Sequence, residues 1–388
     1  MTTDVLDWLE SLQGSGIRPG LGRIRAVLRR LGKPHLAYPS VIVAGTNGKG
    51  STSATLASIL DAAGYRAGLY TSPHLVDLRE RWMIGGETIS GELLEESIAA
   101  LRTASAAVDI VPTYFEALTI VAFIAFQRAG CEIAVLEVGM GGRLDATNVV
   151  RPVAALITPI GFDHMEYLGT TIRKIAAEKA GVIHRGAIVL TSNRDETVLD
   201  VIRRRAARFS NPFHVVHGNP STEAPLAGAF QKDNVALAAK AAAELAPRFP
   251  RITPEAIAHG IASTRWRGRL ERIELAGKTI WIDGCHNAHA VAAVVPFIDE
   301  EVPEPRLLLF GMMRDKDVDD VAALLLPRFR RVIATEPYPP RSISAAEIVE
   351  KARALGIDAV AIPAPEEALE QVLAAEETSV FVGGSLYL

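Results

Sequence analysis

The sequence predicts an α/β protein of two domains, each built on a largely parallel sheet. Short apolar runs alternate with longer amphipathic stretches along the chain, which is the pattern of parallel strands joined by helices. The first strong apolar run leads into a glycine-rich segment that opens a helix. The chain has 388 residues, which is about the length of two ordinary domains.

The composition excludes several classes of protein. Hydrophobic residues make up 49% and charged residues 22% of the chain, so a disordered protein is not expected. The 41 Lys and Arg against 45 Asp and Glu leave a net charge of -4, without the basic field that nucleic acid attracts. The two cysteines, Cys131 and Cys285, cannot form a disulfide framework or a cysteine zinc site.

The ends and the apolar stretches give no sign of export or of membrane insertion. The first residues are acidic and lack the basic segment of a secretory signal. The longest strongly apolar stretch, residues 117–126, is far shorter than the ~20 residues that span a bilayer. We therefore expect a cytoplasmic monomer with small-molecule substrates and neither nucleic acid nor membrane as a partner.

In the first domain, residues 51–63 illustrate how the elements are predicted. Leu56, Ile59, Leu60 and Ala63 recur at helical spacing, and Gly64 is a natural end for the helix. By the same patterns we predict strands at 41–44, 67–70, 133–138, 153–157 and 187–190, and helices at 51–63, 115–128, 171–180 and 232–245.

A second alternation begins after the basic, glycine-containing segment 264–270. We place the domain boundary in residues 269–276, with domains at 1–270 and 271–388, the second long enough for a core of its own. The predicted strands are 279–282, 306–310, 331–334 and 379–382, and the predicted helices are 289–298, 318–326 and 345–355.

The segment from residue 41 to 51, VIVAGTNGKGS, predicts a cradle for a polyphosphate. Gly45, Gly48 and Gly50 permit backbone angles that point consecutive N–H groups inward, and the following helix start and Lys49 add positive charge. A plain glycine-rich turn with an exposed lysine is the alternative. Glycine stands where the common G-x-x-x-x-G-K-[ST] pattern has its metal-binding hydroxyl, so the pattern leaves open whether Ser51 or a residue elsewhere binds magnesium.

Three polar residues follow predicted strands and are candidate metal ligands. Glu137 ends the strand at 133–138, and near a phosphate loop such an acid can hold Mg²⁺. Ser72 and His164 follow two other strands, where ligands gather in parallel sheets. Taken singly, each of the three is as well explained as a solvent-facing, turn or loop residue, and they converge only if their strands are adjacent.

Taken together, the motifs resemble the Mur ligase superfamily, most closely its folate branch, dihydrofolate synthase/folylpolyglutamate synthase. The resemblance runs in order over nearly the whole chain. It is carried by residues 45–51 (GTNGKGS), 70–75 (YTSPHL), 113–116 (TYFE), 136–148 (LEVGMGGRLDATN), 161–164 (GFDH), 178–181 (EKAG), 268–271 (GRLE), 283–287 (DGCHN), 311–317 (GMMRDKD) and 384–387 (GSLY).

The resemblance implies a P-loop central domain of the Mur ligase type with a mostly parallel sheet, and a smaller Rossmann-like domain of the glutamate-ligase type. It implies an ATP-dependent amide ligase that adds L-glutamate to 7,8-dihydropteroate, to tetrahydrofolate and other folates, or to both, through an acyl phosphate. It also implies ATP and Mg²⁺, with two magnesium sites.

The resemblance further implies roles for individual residues. The metal ligands are Ser72, Glu137 and His164. The nucleotide contacts are Thr46, Asn47, Gly48, Lys49, Gly50, Ser51, Asn234, Arg269 and Asp283. The acceptor contacts are Thr113, Tyr114, Phe115, Glu116, Leu144, Asp145 and Ala146, with Gly20–Arg23 as a further candidate. The catalytic residues are Lys49, His164, Lys179 and His286.

Local chemistry gives some of these residues a second reading. Lys179 by composition is a solvated lysine, whereas the resemblance makes it carbamylated and a ligand of a second magnesium. Asp283 is placed to bind ribose hydroxyls or to cap the following helix. Cys285 reads as a small packing residue rather than a nucleophile.

Two other functions are less consistent with the sequence. A cell-wall peptide ligase of the same superfamily carries a UDP-sugar domain, for which the 44 residues before Gly45 are too few. A guanine nucleotide switch lacks its Asn-Lys-x-Asp motif here and leaves the second domain unexplained. An inactive relative is disfavoured because the metal-binding positions are all filled.

Overall fold

The computed structural model describes residues 3–218, 224–338 and 341–388. The chain divides into two compact units. The first comprises Met1–Gly161, Met165–Pro225 and Lys232–Arg265, and the second comprises Phe162–His164, Leu226–Gln231 and Trp266–Leu388. The predicted domain bounds, 1–270 and 271–388, stay a prediction.

The first unit is built on an eight-stranded sheet in the order β4-β3-β2-β5-β1-β6-β7-β8. Its strands are β1 (Ser40–Ala44), β2 (Ala67–Tyr70), β3 (Trp82–Ile84), β4 (Glu87–Thr88), β5 (Ile133–Glu137), β6 (Ala154–Ile157), β7 (Ile188–Thr191) and β8 (Phe213–Val215). The six strands from β2 to β8 in that order are parallel, and β3 and β4 continue the sheet antiparallel at one edge.

Helices cover the first sheet. They are α1 (Thr3–Ser11), α2 (Gly22–Arg30), α3 (Lys49–Ala62), α4 (Gly91–Ala107), α5 (Tyr114–Arg128), α6 (Met165–Leu168), α7 (Ile172–Lys179), α8 (Glu196–Ala207), α9 (Ala229–Leu245) and α10 (Pro254–Ser263). The central strand β1 is buried over all five residues, as expected for a parallel strand covered on both faces. Helix α5 is apolar on almost every side and lies in the main core, where Phe126 packs directly on Gly68 of β2.

The second unit is built on a six-stranded sheet in the order β13-β12-β11-β14-β10-β9. Its elements are β9 (Glu271–Leu275), β10 (Lys278–Ile282), α11 (Ala288–Glu301), β11 (Arg306–Phe310), α12 (Val318–Leu325), β12 (Arg331–Ala334), α13 (Ala345–Ala354), β13 (Asp358–Ala361), α14 (Pro365–Ala374) and β14 (Ser379–Gly383). Among the described strands of this sheet, β9 alone is antiparallel to its neighbour. The predicted α/β class with largely parallel sheets is confirmed.

The predicted elements are present, and their ends differ by a few residues for local reasons. The helix predicted to begin at residue 51 begins at Lys49, because Gly48 takes a left-handed conformation at the N-cap. Thr171, predicted as helical, instead caps α7 by accepting a hydrogen bond from the Lys174 N–H. Strand β5 ends at Glu137 rather than at residue 138. The region proposed as the domain boundary holds β9.

Other short or edge elements were not predicted. Strands β3 and β4 have only three and two residues, too few to show a period. In the described ranges, none of the helices combines the length and apolarity needed to cross a membrane.

Candidate active site

The phosphate loop lies between β1 and α3 and is closely packed on both sides. Gly45 has a φ of 152° and lies against the Thr158 side chain, and Gly48 has a φ of 84° and lies against the side chain of Asn234. A Cβ at either position would collide with these neighbours, so the glycines are required by close approach as well as by conformation. Asn234 is buried on α9, and the structure therefore brings this predicted nucleotide contact onto the loop.

The loop is fixed by the segment that follows β6. The Thr46 and Asn47 N–H groups donate to the Pro159 carbonyl at 2.9 and 3.3 Å, and the Thr46 hydroxyl lies 3.0 Å from the Gly161 carbonyl. Lys49 Nζ donates to the Thr46 carbonyl at 3.0 Å. A positive side chain, glycine-rich backbone and the start of a helix are thus held together, which is the chemistry that binds phosphate.

Lys179 is a second cation at this loop. It ends α7, it is only 4% exposed, and its Nζ donates to the Gly45 carbonyl at 2.7 Å. The alternative of a solvated lysine is therefore wrong. An ammonium group is costly to bury unless it is hydrogen-bonded, and the parallel sheet supplies its acceptor at the carboxyl end of β1.

Glu137 and Ser72 meet at the same edge of the sheet. Strand β5, which ends at Glu137, lies between β1 and β2, and Ser72 follows β2. Glu137 is 5% exposed, and its Oε2 accepts a hydrogen bond from the Ser72 backbone N–H at 3.2 Å. The reading of Glu137 as a solvent-facing residue is wrong, because the neighbouring strands cover it.

These two residues fit a hard divalent cation. A carboxylate oxygen and a hydroxyl are ligands that Mg²⁺ and Mn²⁺ accept, and such ions usually complete their shell with water and substrate phosphate. Among the residues that the structure describes, there is no group of three or more His, Cys, Asp and Glu placed to hold a metal by themselves. The buried Glu137 carboxylate beside a phosphate loop therefore suits a metal that arrives with a nucleotide.

The predicted acceptor segment begins α5. Thr113 caps this helix, and the Glu116 carboxylate closes a capping box on the Thr113 N–H at 2.8 Å. The buried Glu116 also pairs with Arg23 of α2 at 3.1 Å. Phe115 lies against Gly139, the first residue of the glycine-rich loop after β5. The structure thus brings the assigned segment 113–116 together with Arg23 of the further candidate segment and with the loop that leads to Leu144–Ala146.

Asp145 shapes that glycine-rich loop from inside. Its carboxylate accepts hydrogen bonds from the N–H groups of Gly139, Met140 and Thr147 at 3.0–3.1 Å. Burial raises the pKa of Asp145, although these hydrogen bonds oppose the rise. Leu144 beside it is 37% exposed. Asp145 therefore acts on the loop backbone, and Leu144 presents a side chain outward.

A largely buried ion pair in the second unit holds the Asp163–His164 segment. The Asp163 carboxylate and Lys316 Nζ are 2.8 Å apart, and their side chains are only 10% and 11% exposed. Asn287 donates to Asp163 at 3.3 Å, and His286 Nε2 lies 3.8 Å from it. Burial opposes ionisation, but Lys316 and His164 outweigh it and hold the pKa of Asp163 well below its usual range.

His164 and His286 both lie in this cluster. His164 has a φ of 50°, unusual for a residue with a side chain, and its Nε2 lies 3.5 Å from Lys316 Nζ. His286 Nδ1 lies 2.8 Å from the Gly284 carbonyl, which makes Nδ1 the protonated nitrogen of the neutral ring. Burial, and next the charge of Lys316, lower the pKa of His286 to about 4, so the ring is neutral near pH 7.

Asp283 is buried at the carboxyl end of β10. Its Oδ2 accepts a hydrogen bond from the Leu270 N–H at 3.0 Å, and burial raises its pKa although Arg269 opposes this. Helix α11 is capped by Asn287, so the alternative that Asp283 caps it is wrong. Cys285 is buried, and burial raises the pKa of its thiol well above the usual value, as suits a packing residue.

Sequence reasoning gave no role to two buried cations. Lys316 lies in the quoted motif at 311–317, and its only signal was a lysine between two aspartates. Arg81 is also buried, and its Nε donates to His74 Nδ1 at 2.9 Å. Nothing in the local pattern distinguishes either of them from the surface lysines and arginines of the chain.

Comparison with known proteins gives two family matches. Residues 43–224 match the Mur ligase middle domain, and residues 268–386 match the Mur ligase, glutamate ligase domain. Together they cover most of the chain.

Curated relatives match over most of the chain as well. A dihydrofolate synthase/folylpolyglutamate synthase of Bacillus subtilis is 34% identical, over 81% of this chain and 80% of that protein. A probable bifunctional folylpolyglutamate synthase/dihydropteroate synthase of Halobacterium salinarum is 35% identical over 99% of this chain. The chain spans about half of the length of the Halobacterium protein, since the match covers 50% of it.

Solved structures agree in fold. Escherichia coli FolC in complex with DHPP and ADP superposes with a TM-score of 0.88 at 28% identity, over 99% of this chain and 95% of that one. A bifunctional folylpolyglutamate synthase/dihydrofolate synthase from Yersinia pestis, complexed with AMPPNP and Mn ion, gives 0.85 at 30% identity, over 98% and 94%.

The predicted family is thereby confirmed by sequence matches along both units and by the fold of the whole chain. The chain belongs to the dihydrofolate synthase/folylpolyglutamate synthase family of the Mur ligases.

Proposed function

We propose that this protein is an ATP-dependent, ADP-forming ligase that joins L-glutamate to the carboxyl group of 7,8-dihydropteroate, of folates, or of both. One observation carries the proposal in addition to the family. The buried residues Lys179 and Glu137 and the phosphate loop lie at one edge of a single parallel sheet. That combination is suited to phosphoryl transfer, which needs fixed positive charge and a metal ligand beside the phosphates.

Nucleotide binding is supported first by the geometry of the loop. The backbone of residues 46–51 and the start of α3 would receive the phosphates of ATP, and Lys49 would offset their charge. Asn234, packed on Gly48, would fix the loop or contact the nucleotide. The assignments of Arg269 and Asp283 to the nucleotide stay predictions.

Ser72 and Glu137 would hold a magnesium ion that accompanies ATP. The ion supplies charge neutralisation to the phosphate oxygens as the terminal phosphoryl group moves. The buried Glu137 carboxylate supports this role. His164 as a third ligand, a second magnesium and the carbamylation of Lys179 stay predictions, and a mass increase of one carboxyl group on the Lys179 peptide would support the last.

The reaction would proceed in two steps. An oxygen of the acceptor carboxylate attacks the γ-phosphorus of ATP, and the bond to the β-phosphate oxygen breaks, which releases ADP and leaves an acyl phosphate. The neutral amine of glutamate then attacks the acyl carbon, a proton is lost from nitrogen, and inorganic phosphate leaves. Water must be kept from the acyl phosphate, which would otherwise hydrolyse.

The residues of this chain have distinct parts in these steps. Lys49 would stabilise charge on the transferred phosphoryl oxygens. Phe115, Glu116 and the loop shaped by Asp145 would position the acceptor. A group with a pKa of about 4 is a weak base near pH 7, which favours a hydrogen-bonding role for His286 over proton abstraction.

A product assay tests the proposal. Purified protein is incubated with ATP, Mg²⁺ and L-glutamate, and with either 7,8-dihydropteroate or tetrahydrofolate, and products are identified by mass spectrometry. We expect glutamate addition, matched by ADP release, to at least one acceptor. The two acceptors separate a dihydrofolate synthase from a folylpolyglutamate synthase, and no product with either would reject the proposal. The predicted monomeric state and cytoplasmic location stay predictions.

A further inference from the structure

A group of basic side chains lies at the end of the first sheet that is opposite the phosphate loop. Arg151 precedes β6, and His184 and Arg185 precede β7, whereas the phosphate loop follows the carboxyl end of β1. Strands β1, β6 and β7 are parallel neighbours, so their amino ends share one edge of the sheet. Helices α2 and α8 contribute Arg25 and Arg205. We call these five residues the basic cluster.

His184 shows how closely the cluster is assembled. Burial, and then the charges of Arg205, Arg25 and Arg151, lower the pKa of His184. These arginines from three separate parts of the chain therefore lie close to one imidazole. The charged groups that act on this ring are three arginines, so positive charge is concentrated here.

The arginines of the basic cluster differ from other arginines nearby. Arg204, next in the chain to Arg205, pairs with Asp200 at 2.8 Å, and Arg143 pairs with Glu178 at 2.9 Å. By contrast, within the described residues Arg205 Nε is buried and donates no hydrogen bond. Burial and the charge of Arg208 also lower the pKa of Arg205.

Contacts hold Arg205, Arg185 and the turn at His184 in place. The guanidinium carbons of Arg205 and Arg185 lie 4.9 and 5.8 Å from the centre of the Phe209 ring. Asn211 fixes the turn at His184, because its Nδ2 donates to the His184 carbonyl at 2.7 Å and its Oδ1 accepts from the Gly186 N–H at 2.9 Å. Side chains ordered in this way lose little entropy when they bind a ligand.

We propose that the basic cluster binds a small anion that carries two or more phosphate or carboxylate groups. The planar donor fork of arginine matches the paired oxygens of these groups. Several arginines beside a donor that has no acceptor among the described residues favour a ligand with more than one negative charge. This site lies at the other end of the sheet from the phosphate loop and is additional to the proposed ligase function.

The basic cluster also contacts the glycine-rich loop after β5. Asn148 Nδ2 donates to the Arg143 and Gly181 carbonyls at 3.0 and 3.3 Å, which turns its Oδ1 toward His184 Nε2 at 2.8 Å. The neutral His184 ring therefore donates from Nε2. An anion on the cluster would bind beside this contact and stabilise the end of the loop that begins at Gly139.

Calorimetric titration of the full chain tests the proposal. The protein is first saturated with MgADP so that the phosphate loop is occupied, and is then titrated with pyrophosphate or with tri-γ-glutamate, which distinguish a phosphate from a carboxylate ligand. We expect saturable binding of at least one anion, and protection from hydrogen exchange in residues 148–151, 184–186 and 201–209. The double variant Arg151→Gln/Arg205→Gln should weaken binding about tenfold or more.

Arg204→Gln is the matched control, because it removes an exposed, carboxylate-paired arginine from the same helix. It should leave anion affinity unchanged. The anion should also raise the melting temperature of the parent protein more than that of the double variant, whose folding is checked in the same measurement. No saturable binding of either anion, equal binding by the double variant, or protection confined to the phosphate loop would overturn the proposal.

Discussion

The two ends of the first sheet both carry buried or half-buried cations, but these cations differ in their hydrogen-bond partners. At the carboxyl end, Lys49 and Lys179 each donate to a backbone carbonyl of the phosphate loop. At the amino end, Arg205 has a buried Nε that donates to nothing in the described part of the chain. The two lysines at the carboxyl end therefore have their hydrogen-bond acceptors within the protein. The Arg205 guanidinium at the amino end keeps a donor that has no acceptor among the described residues.

The difference follows from strand geometry. Loops at the carboxyl ends of β1 and β6 are glycine-rich or turn sharply, and their carbonyls face inward where a lysine can reach them. At the amino ends, the strands are entered from helices and turns that present arginine side chains together. The comparison predicts that removing a cation from the carboxyl end damages chemistry, and that removing one from the amino end does not.

Lys49→Ala should give the largest effect. Without this cation, charge on the transferred phosphoryl oxygens is left to the backbone amides, and we expect the rate to fall about 10³-fold or more. Initial rates of ADP release measure this. Circular dichroism and melting temperature should be unchanged, and Lys174→Ala, which removes an exposed lysine from α7, should keep normal turnover.

Turnover by Lys49→Ala within a factor of two of the parent would remove Lys49 from the mechanism. The carboxyl end of the sheet would then hold its cations for structure alone.

Lys316 is a cation whose partner is a carboxylate, that of Asp163. Lys316→Met leaves Asp163 buried without its partner, which should cost about 3 kcal/mol in the free energy of unfolding. Urea unfolding at pH 7 measures it. The double variant Lys316→Met/Asp163→Asn should recover part of this loss, because neither charge then remains. Equal stabilities for the single variant and the parent protein would contradict the ion pair.

The same variant has a pH signature. A carboxylate whose folded pKa is lowered adds stability above its ordinary pKa, and this stability is lost as the pH falls toward the folded pKa. Without Lys316 the pKa of Asp163 should rise toward its ordinary value, so the stability that this carboxylate adds above that value, and the loss of it in acid, should both be smaller in the variant.

The sequence predicted the carboxyl end of the first sheet better than the rest of the site. Val41–Ala44 and Ile133–Glu137 are short apolar runs, and each is followed by residues whose types are unusual outside a phosphate or metal site. The burial of Lys179 and the ion pair of Lys316 depend on contacts between residues more than 100 positions apart. Periodicity and spacing carry no information on such contacts, and only the family resemblance drew attention to Lys179.

Lys179→Met tests whether a satisfied buried cation contributes to chemistry or to folding. Methionine fills a similar volume but leaves the buried Gly45 carbonyl without its donor, and an unpaired buried polar group costs about 1–3 kcal/mol. We expect the free energy of unfolding to fall by about 1 kcal/mol and the rate to fall about 10²-fold. Urea unfolding and ADP release measured on the same sample separate the two.

A large loss of stability with a normal rate would mean that Lys179 only holds the Gly45 carbonyl. Lys179→Arg is the matched control for charge, and it should keep less activity than the parent protein because a planar guanidinium presents its donors differently from a compact ammonium.

His286 should affect stability only in acid. Its folded pKa of about 4 lies below the ordinary value of 6.5. Between these two pH values the unfolded chain therefore binds a proton on this ring that the folded chain does not bind. Stability should therefore fall as the pH drops from about 6.5 toward 4. His286→Gln should flatten that part of the curve in urea unfolding, and His259→Gln, on the exposed surface of α10, should not.

Arg205→Gln should have the smallest effect and addresses the amino end directly. Glutamine keeps part of the apolar stem over Phe209 and removes one of several like charges, so at low salt the variant should be as stable as the parent protein or about 0.5 kcal/mol more stable. Raising the ionic strength to about 0.5 M should remove the difference, because exposed charges are then screened within a few ångströms. Urea unfolding at both salt concentrations measures this. A destabilised variant would show that the guanidinium is satisfied as it stands, and the two ends of the sheet would then hold their cations in the same way.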